Sequence, residues 1–123
     1  MKFKFLIQLS VVLILFISCA AKVPVQVNQR ADMEEIVNNP ETTLVDVRIP
    51  EQFAEKTAAG AINIPLAKIE DNIDFFKKQQ KVVIFCNSGF QANQAVELLK
   101  KNGVQNVYDA KTLKNVDALQ HEK

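Results

Sequence analysis

Val82-Val83-Ile84-Phe85-Cys86-Asn87-Ser88-Gly89-Phe90-Gln91 is the stretch that decides how this chain folds. Its first half is continuously apolar rather than alternating. That pattern suits a strand covered on both faces, as in a parallel sheet. Asn87 to Gln91 reads as a loop. Ala92, Ala95, Val96 and Leu99 then recur at i, i+3, i+4 and i+7, the apolar stripe of a helix. Lys100 and Lys101 suit the last turn of that helix, and Gly103 its C′ position. The stretch is therefore a strand–loop–helix unit with a cysteine at the end of the strand.

The same alternation continues outward. Thr43-Leu44-Val45-Asp46-Val47 is rich in strand formers, and Pro50-Glu51-Gln52-Phe53 opens a short helix with proline at its first position. Gly60-Ala61-Ile62-Asn63-Ile64-Pro65 reads as a turn and a short strand. Leu66, Ile69, Ile73 and Phe76 fall on one helical face, with Asp71-Asn72 as a candidate break. Beyond Gly103, Asn106-Val107-Tyr108 is a short last strand, and Leu113, Val116 and Leu119 mark a terminal helix. Upstream, Asn28 caps a helix carrying Met33, Ile36 and Val37, which Asn38-Asn39-Pro40 stops. Val23, Val25 and Val27 alternate as a short edge strand, where Pro24 is tolerated. These elements predict one α/β domain over residues 29–123. Its sheet is mainly parallel, of four or five strands, with helices on both faces.

The N-terminus reads as a targeting segment. Lys2 and Lys4 precede a run from Phe5 to Ile17 that is apolar except for Gln8 and Ser10. The run suits a signal-peptide core and is short for a membrane span, which needs about 20 residues. Leu15-Phe16-Ile17-Ser18-Cys19 resembles the bacterial lipoprotein processing box. The resemblance implies a leader over residues 1–18, cleavage before Cys19, and a lipid on the Cys19 sulfur. Residues 19–28 are then lipid anchor, tether and possible edge strand. The alternatives are an ordinary secretory signal, with Cys19 incidental and cleavage after Ala20 or Ala21, and third an uncleaved anchor. Export implies an oxidising compartment, where paired cysteines become disulfides. With Cys19 lipidated, Cys86 is the remaining thiol. The expected location is the membrane surface of the bacterial periplasm.

Composition excludes several classes. The 123 residues carry 15 Lys plus Arg against 14 Asp plus Glu, a net charge of +1, so no basic face for nucleic acid is expected. A hydrophobic share of 48% argues against global disorder. One His and two Cys cannot close a four-ligand zinc site without carboxylates. His121 is a poor triad member so close to the chain end. No metal and no cofactor are called for.

In open α/β sheets, ligands bind beyond the carboxyl ends of the strands. Cys86 ends the most buried strand, and a glycine-containing loop and a helix start follow at once. Inward-turned loop N–H groups make an anion nest, and the helix N-terminus adds partial positive charge. Both favour a thiolate, and both suit a small anion beside it. A buried structural cysteine is the competing reading of the same spacing. Asp46 and Arg48 read as a structural ion pair, with Arg48 also near Glu51. Lys77, Lys78 and Lys81 read as a solvated face, and Tyr108 as packing.

Two stretches resemble the rhodanese family, and most closely its small exported phage-shock-protein E type. One is Asp46-Val47-Arg48-Ile49-Pro50-Glu51-Gln52-Phe53 followed by Gly60-Ala61-Ile62-Asn63-Ile64-Pro65-Leu66. The other is Cys86-Asn87-Ser88-Gly89-Phe90-Gln91 with the helix and Gly103/Asn106-Val107 after it. The resemblance covers most of residues 43–116. It implies a parallel α/β fold and a sulfurtransferase that carries sulfur as a persulfide on Cys86. Its partners would be a small sulfur-donor anion and an acceptor thiol or cyanide, with the N–H groups of Asn87, Ser88, Gly89, Phe90 and Gln91 holding the donor. The chain departs from the family where a loop arginine is usual, at Phe90 or Gln91. It also carries Lys111-Thr112 where a glycine pair is usual. These departures favour a second reading, a catalytically weak binding or redox-sensing module. A cysteine phosphatase needs arginine six residues after the cysteine, and position 92 is Ala. Thioredoxin-like chemistry needs a Cys-x-x-Cys pair that is absent.

Overall fold

The computed structural model describes residues 29–121. The leader, Cys19, the Val23–Val27 edge strand and the Asn28 cap lie outside the described residues. In chain order the elements are α1 (Gln29–Asn38), β1 (Thr42–Asp46), α2 (Pro50–Glu55) and β2 (Ile62–Asn63). Two 3₁₀ turns follow (Leu66–Lys68, Glu70–Asn72), then α3 (Ile73–Lys77), β3 (Lys81–Cys86), α4 (Phe90–Lys101), β4 (Val107–Thr112) and α5 (Leu113–His121). Among the described residues the four strands form one parallel sheet in the order β2-β1-β3-β4.

β3 explains the layering. Val82, Ile84 and Cys86 point to one face and pack with Ile69, Phe76, Ala92, Ala95, Val96 and Leu99. Val83 and Phe85 point to the other and pack with Val37, Leu113, Val116 and Leu119. A strand that serves two cores needs an apolar residue at every position, which is why its sequence does not alternate. Each such side chain withdrawn from water contributes about 1.5–3 kcal/mol. Tyr108 packs, partly buried, on the second core.

Three expectations are corrected. The region from Leu66 to Gln80 divides at Asp71-Asn72, the candidate break, but its first half is not α-helical. Pro65 leads into two 3₁₀ turns, and only Ile73–Lys77 is α-helical. Ile69 and Phe76 reach the core just as well from turns. The loop after Cys86 is shorter than Asn87–Gln91, because α4 begins at Phe90. The last strand is longer than Asn106–Tyr108. A register shift opposite Ile84 and Phe85 leaves Ala110 unpaired and carries β4 on to Thr112.

α4 ends as its sequence predicts. Gly103 adopts φ +86°, the Gly103 N–H donates to the Lys100 carbonyl, and the Val104 N–H donates to that of Leu99. This pair of bonds satisfies carbonyls that the helix leaves open.

The strand order sets the position of the site. From β1 the chain runs outward to β2, and it returns past β1 to β3 and β4. The reversal places the carboxyl ends of β1 and β3 side by side, with Asp46 paired to Phe85 and the Val47 N–H donating to the Phe85 carbonyl at 3.1 Å. Such a switch point is where an open α/β sheet has room for a ligand.

Candidate active site

Cys86 lies at that switch point, 1% exposed and free of any disulfide. The Cys86 Sγ accepts the Gly89 N–H at 3.0 Å and the Ala92 N–H at 3.3 Å. It also lies 3.5 Å from the Lys111 carbonyl oxygen, to which a thiol proton can be donated. The turn that wraps the sulfur exists because Gly89 takes φ +93°, ψ −14° just before α4. A side chain there would be strained, and its Cβ would lie 3.3 Å from the Lys111 Cβ.

The loop holds more donors than the sulfur uses. Asn87 and Ser88 have backbone N–H groups with no acceptor among the described residues, and the Gln91 N–H lies in the open first turn of α4. The Phe90 N–H makes only a long contact, 3.5 Å, to the Ser88 Oγ. Spare backbone donors in a loop at a helix start suit an anion. The side chains of Asn87, Ser88, Phe90 and Gln91 are exposed, Phe90 at 70%.

Beside the loop, β1 ends in a buried charged pair. The Asp46 carboxylate takes the Arg48 Nε at 3.0 and 3.1 Å, the Arg48 Nη2 at 2.7 Å, the Arg48 backbone N–H at 3.0 Å and the Thr57 hydroxyl at 2.9 Å. Arg48 Nη2 also donates to the Lys56 carbonyl at 2.6 Å. The hydrogen bond with Asp46 holds the Arg48 guanidinium above its ordinary pKa, against desolvation. Weaker attractions from the Asp46, Cys86 and Glu55 charges act in the same direction. Glu51 is not part of this network. It is exposed on α2, and the place expected for it is filled by Thr57 and the Lys56 carbonyl. Arg48 is thereby spent on the fold: its guanidinium ties the end of β1 to the Lys56 carbonyl just past the end of α2.

A family model described as a rhodanese-like domain matches residues 29–112, more than half of the chain. The chain belongs to the rhodanese-like domain family. Thiosulfate sulfurtransferase PspE of Escherichia coli (strain K12) is 39% identical over 74 residues, which cover 58% of this chain and 71% of that protein. A solved structure described as a rhodanese with anions, also from E. coli, superposes with a TM-score of 0.56 at 38% identity. It covers 60% of this chain and 89% of that one. A human single-domain sulfurtransferase shares the fold, with a TM-score of 0.58 at 21% identity over 76% of this chain and 94% of that one.

Within this rhodanese-like domain, two side chains that shape the site went unnoticed in the sequence. Thr57 closes the Asp46 carboxylate from eleven positions away. Asn63 on β2 donates its Nδ2 to the carbonyls of Asp46 and Arg48, both at 2.9 Å, and so pins the end of β1. A lone polar residue inside Ile62-Asn63-Ile64 was the available signal for Asn63; nothing local marked Thr57.

Proposed function

We propose that this chain is an exported single-domain rhodanese. It moves sulfane sulfur from thiosulfate, or a similar small anionic donor, to a thiol acceptor or cyanide through a persulfide on Cys86. The observation that carries this reading is a sulfur that receives two backbone N–H groups beneath a loop with further donors to spare. The Cys86 thiolate attacks the sulfane sulfur of thiosulfate. The donor's S–S bond breaks, and sulfite leaves with the electron pair. The negative charge of the new persulfide sits on its outer sulfur, which the spare loop N–H groups can receive. Cyanide or an acceptor thiolate then attacks the outer sulfur, giving thiocyanate or a new persulfide and returning the Cys86 thiolate. Backbone donors fixed around Sγ and in the loop above it stabilise the charge as it moves, without reorganising.

The same proposal places the protein at a membrane through a lipid on Cys19, after removal of residues 1–18. Its support is the sequence of that segment. Among the described residues no helix is long and apolar enough to cross a membrane.

The second reading is a catalytically weak module that binds a partner or senses oxidation. It is favoured by one feature, a loop that carries no cationic side chain from Asn87 to Ala92 above a sulfur with almost no exposure. Intact mass of the detergent-solubilised full chain decides between them. A gain of one sulfur after thiosulfate, lost with cyanide and absent in Cys86→Ser, is the expected result. No gain with thiosulfate overturns the thiosulfate reaction.

A further inference from the structure

Lys111 is the non-glycine residue with positive φ among the described residues, at +67°. A lysine gains nothing from that conformation, which costs an L-residue free energy. Three features hold it there. The β4 bulge at Ala110 displaces it, the Asp109 Oδ1 accepts its N–H at 2.8 Å, and its carbonyl stands 3.5 Å from the Cys86 Sγ. The side chain starts out beside the loop. Its Cβ and Cγ lie 3.3 and 3.9 Å from where a Cβ on Gly89 would be.

This places an exposed lysine stem beside Gly89, the residue just before α4. A cation at a helix N-terminus is repelled by the helix dipole. The ammonium forms no ion pair among the described residues. Arg48, the other cation beside the sulfur, is buried and committed to Asp46 and the Lys56 carbonyl. The Lys111 stem thus rises beside the Cys86 loop with no ion pair among the described residues, and an anion on the Asn87, Ser88 and Gln91 N–H groups would attract its ammonium.

We propose that Lys111 binds the anionic group of the sulfur donor, so that the β4 bulge supplies the charge that the Cys86 loop lacks. The proposal rests on the sulfur-transfer reading and adds the donor class: small anions, with dianions favoured over monoanions. Neutral donors would gain nothing from Lys111.

The test compares wild type, Lys111→Gln and Lys111→Arg as full chains in detergent, at low salt. Cys86 is alkylated with anionic iodoacetate and neutral iodoacetamide, and modification is read from the mass of the Cys86 peptide. One unit charge roughly 5 Å away in a water-like dielectric changes the rate of a monoanion about fourfold. The iodoacetate-to-iodoacetamide rate ratio should therefore fall about fourfold in Lys111→Gln. It should persist in Lys111→Arg and shrink in wild type as salt is added. For thiosulfate, KM should rise roughly 15-fold in Lys111→Gln, the square of that factor for a dianion, with kcat little changed. An alkylation ratio equal in wild type and Lys111→Gln overturns the proposal. So does a fall in kcat at unchanged KM, which would make Lys111 a structural residue. If wild type forms no persulfide with thiosulfate, the sulfur-transfer reading fails for that donor, and the alkylation ratio still decides the role of Lys111.

Discussion

Gly89→Ala is the perturbation that most directly probes how the loop holds its sulfur. Two costs add. An L-residue in the left-handed region pays about 1–2 kcal/mol, and Gly89 stands at φ +93°. The new methyl would also lie 3.3 Å from the Lys111 Cβ and 3.8 Å from its Cα. Optimal carbon contacts are about 3.5–4.0 Å, so one side must retreat by a few tenths of an ångström. The reduced freedom of the unfolded chain returns about 0.4–1 kcal/mol. The net loss is about 1–2 kcal/mol, or roughly 4–15 °C in Tm for a domain of this size.

Gly103→Ala is the matched control. Gly103 has nearly the same φ, +86°, and a Cβ there meets only the Lys77 side chain, at 3.8 Å or beyond. It should lose stability through the backbone alone and leave Cys86 untouched. Gly89→Ala should in addition slow iodoacetamide alkylation and persulfide formation, because the N–H that retreats is the one 3.0 Å from the Cys86 Sγ. Thermal melts and Cys86 modification rates on the three proteins make the comparison. A Gly89→Ala variant that melts like wild type, or that melts like Gly103→Ala with Cys86 as reactive as before, would refute the coupling of loop geometry to the sulfur.

Two further outcomes are expected. Asp46→Asn leaves the Arg48 guanidinium, 6% exposed, without its counter-charge, and should cost about 3–5 kcal/mol in urea unfolding. Adding Arg48→Met should recover part of that loss, whereas equal stability of Asp46→Asn and wild type would show that the pair is dispensable. Cys19→Ser should move the protein from the membrane pellet to the soluble or uncleaved fraction and abolish any lipid mass on the chain. Unchanged membrane association with no lipid mass in wild type would refute the lipoprotein leader.

How far the sequence could be read follows from how local each determinant is. β3 and α4 were legible because their signals repeat within a few residues: a continuous apolar run, then a stripe at helical spacing ending in Gly103. The start of α4 was not, because Phe90 is a large apolar residue exposed at 70% and looks like neither face of a helix. What starts the helix there is the backbone of Gly89 and an N–H taken by sulfur, neither of which has a compositional signature. The Leu66–Phe76 stripe misled in the opposite direction, since 3₁₀ turns can deliver Ile69 and Phe76 to the core as well as an α-helix does. Asp46 and Arg48, two residues apart, were readable as a pair. Thr57 and Asn63 complete that network from eleven to seventeen positions away, and no periodicity connects them.

The residues that break local rules in this chain are gathered at one end of the sheet. There the buried charge pair at the end of β1, the exposed phenylalanine at the start of α4 and the lysine at positive φ in β4 surround one cysteine. A sequence selected for stability alone would place glycine at position 111 and an apolar pair at positions 46 and 48. Two of these departures have different physical consequences. The Asp46–Arg48 pair is closed on itself by Thr57, Lys56 and Asn63, so it fixes the strand end on which the Cys86 loop is built. Lys111 is open: its backbone is fixed by Asp109, while its ammonium forms no ion pair among the described residues. If Lys111 acts as proposed, a cation without an ion pair among the described residues, beside spare N–H groups, complements an anion, and the search for a physiological donor turns toward small anionic sulfane compounds.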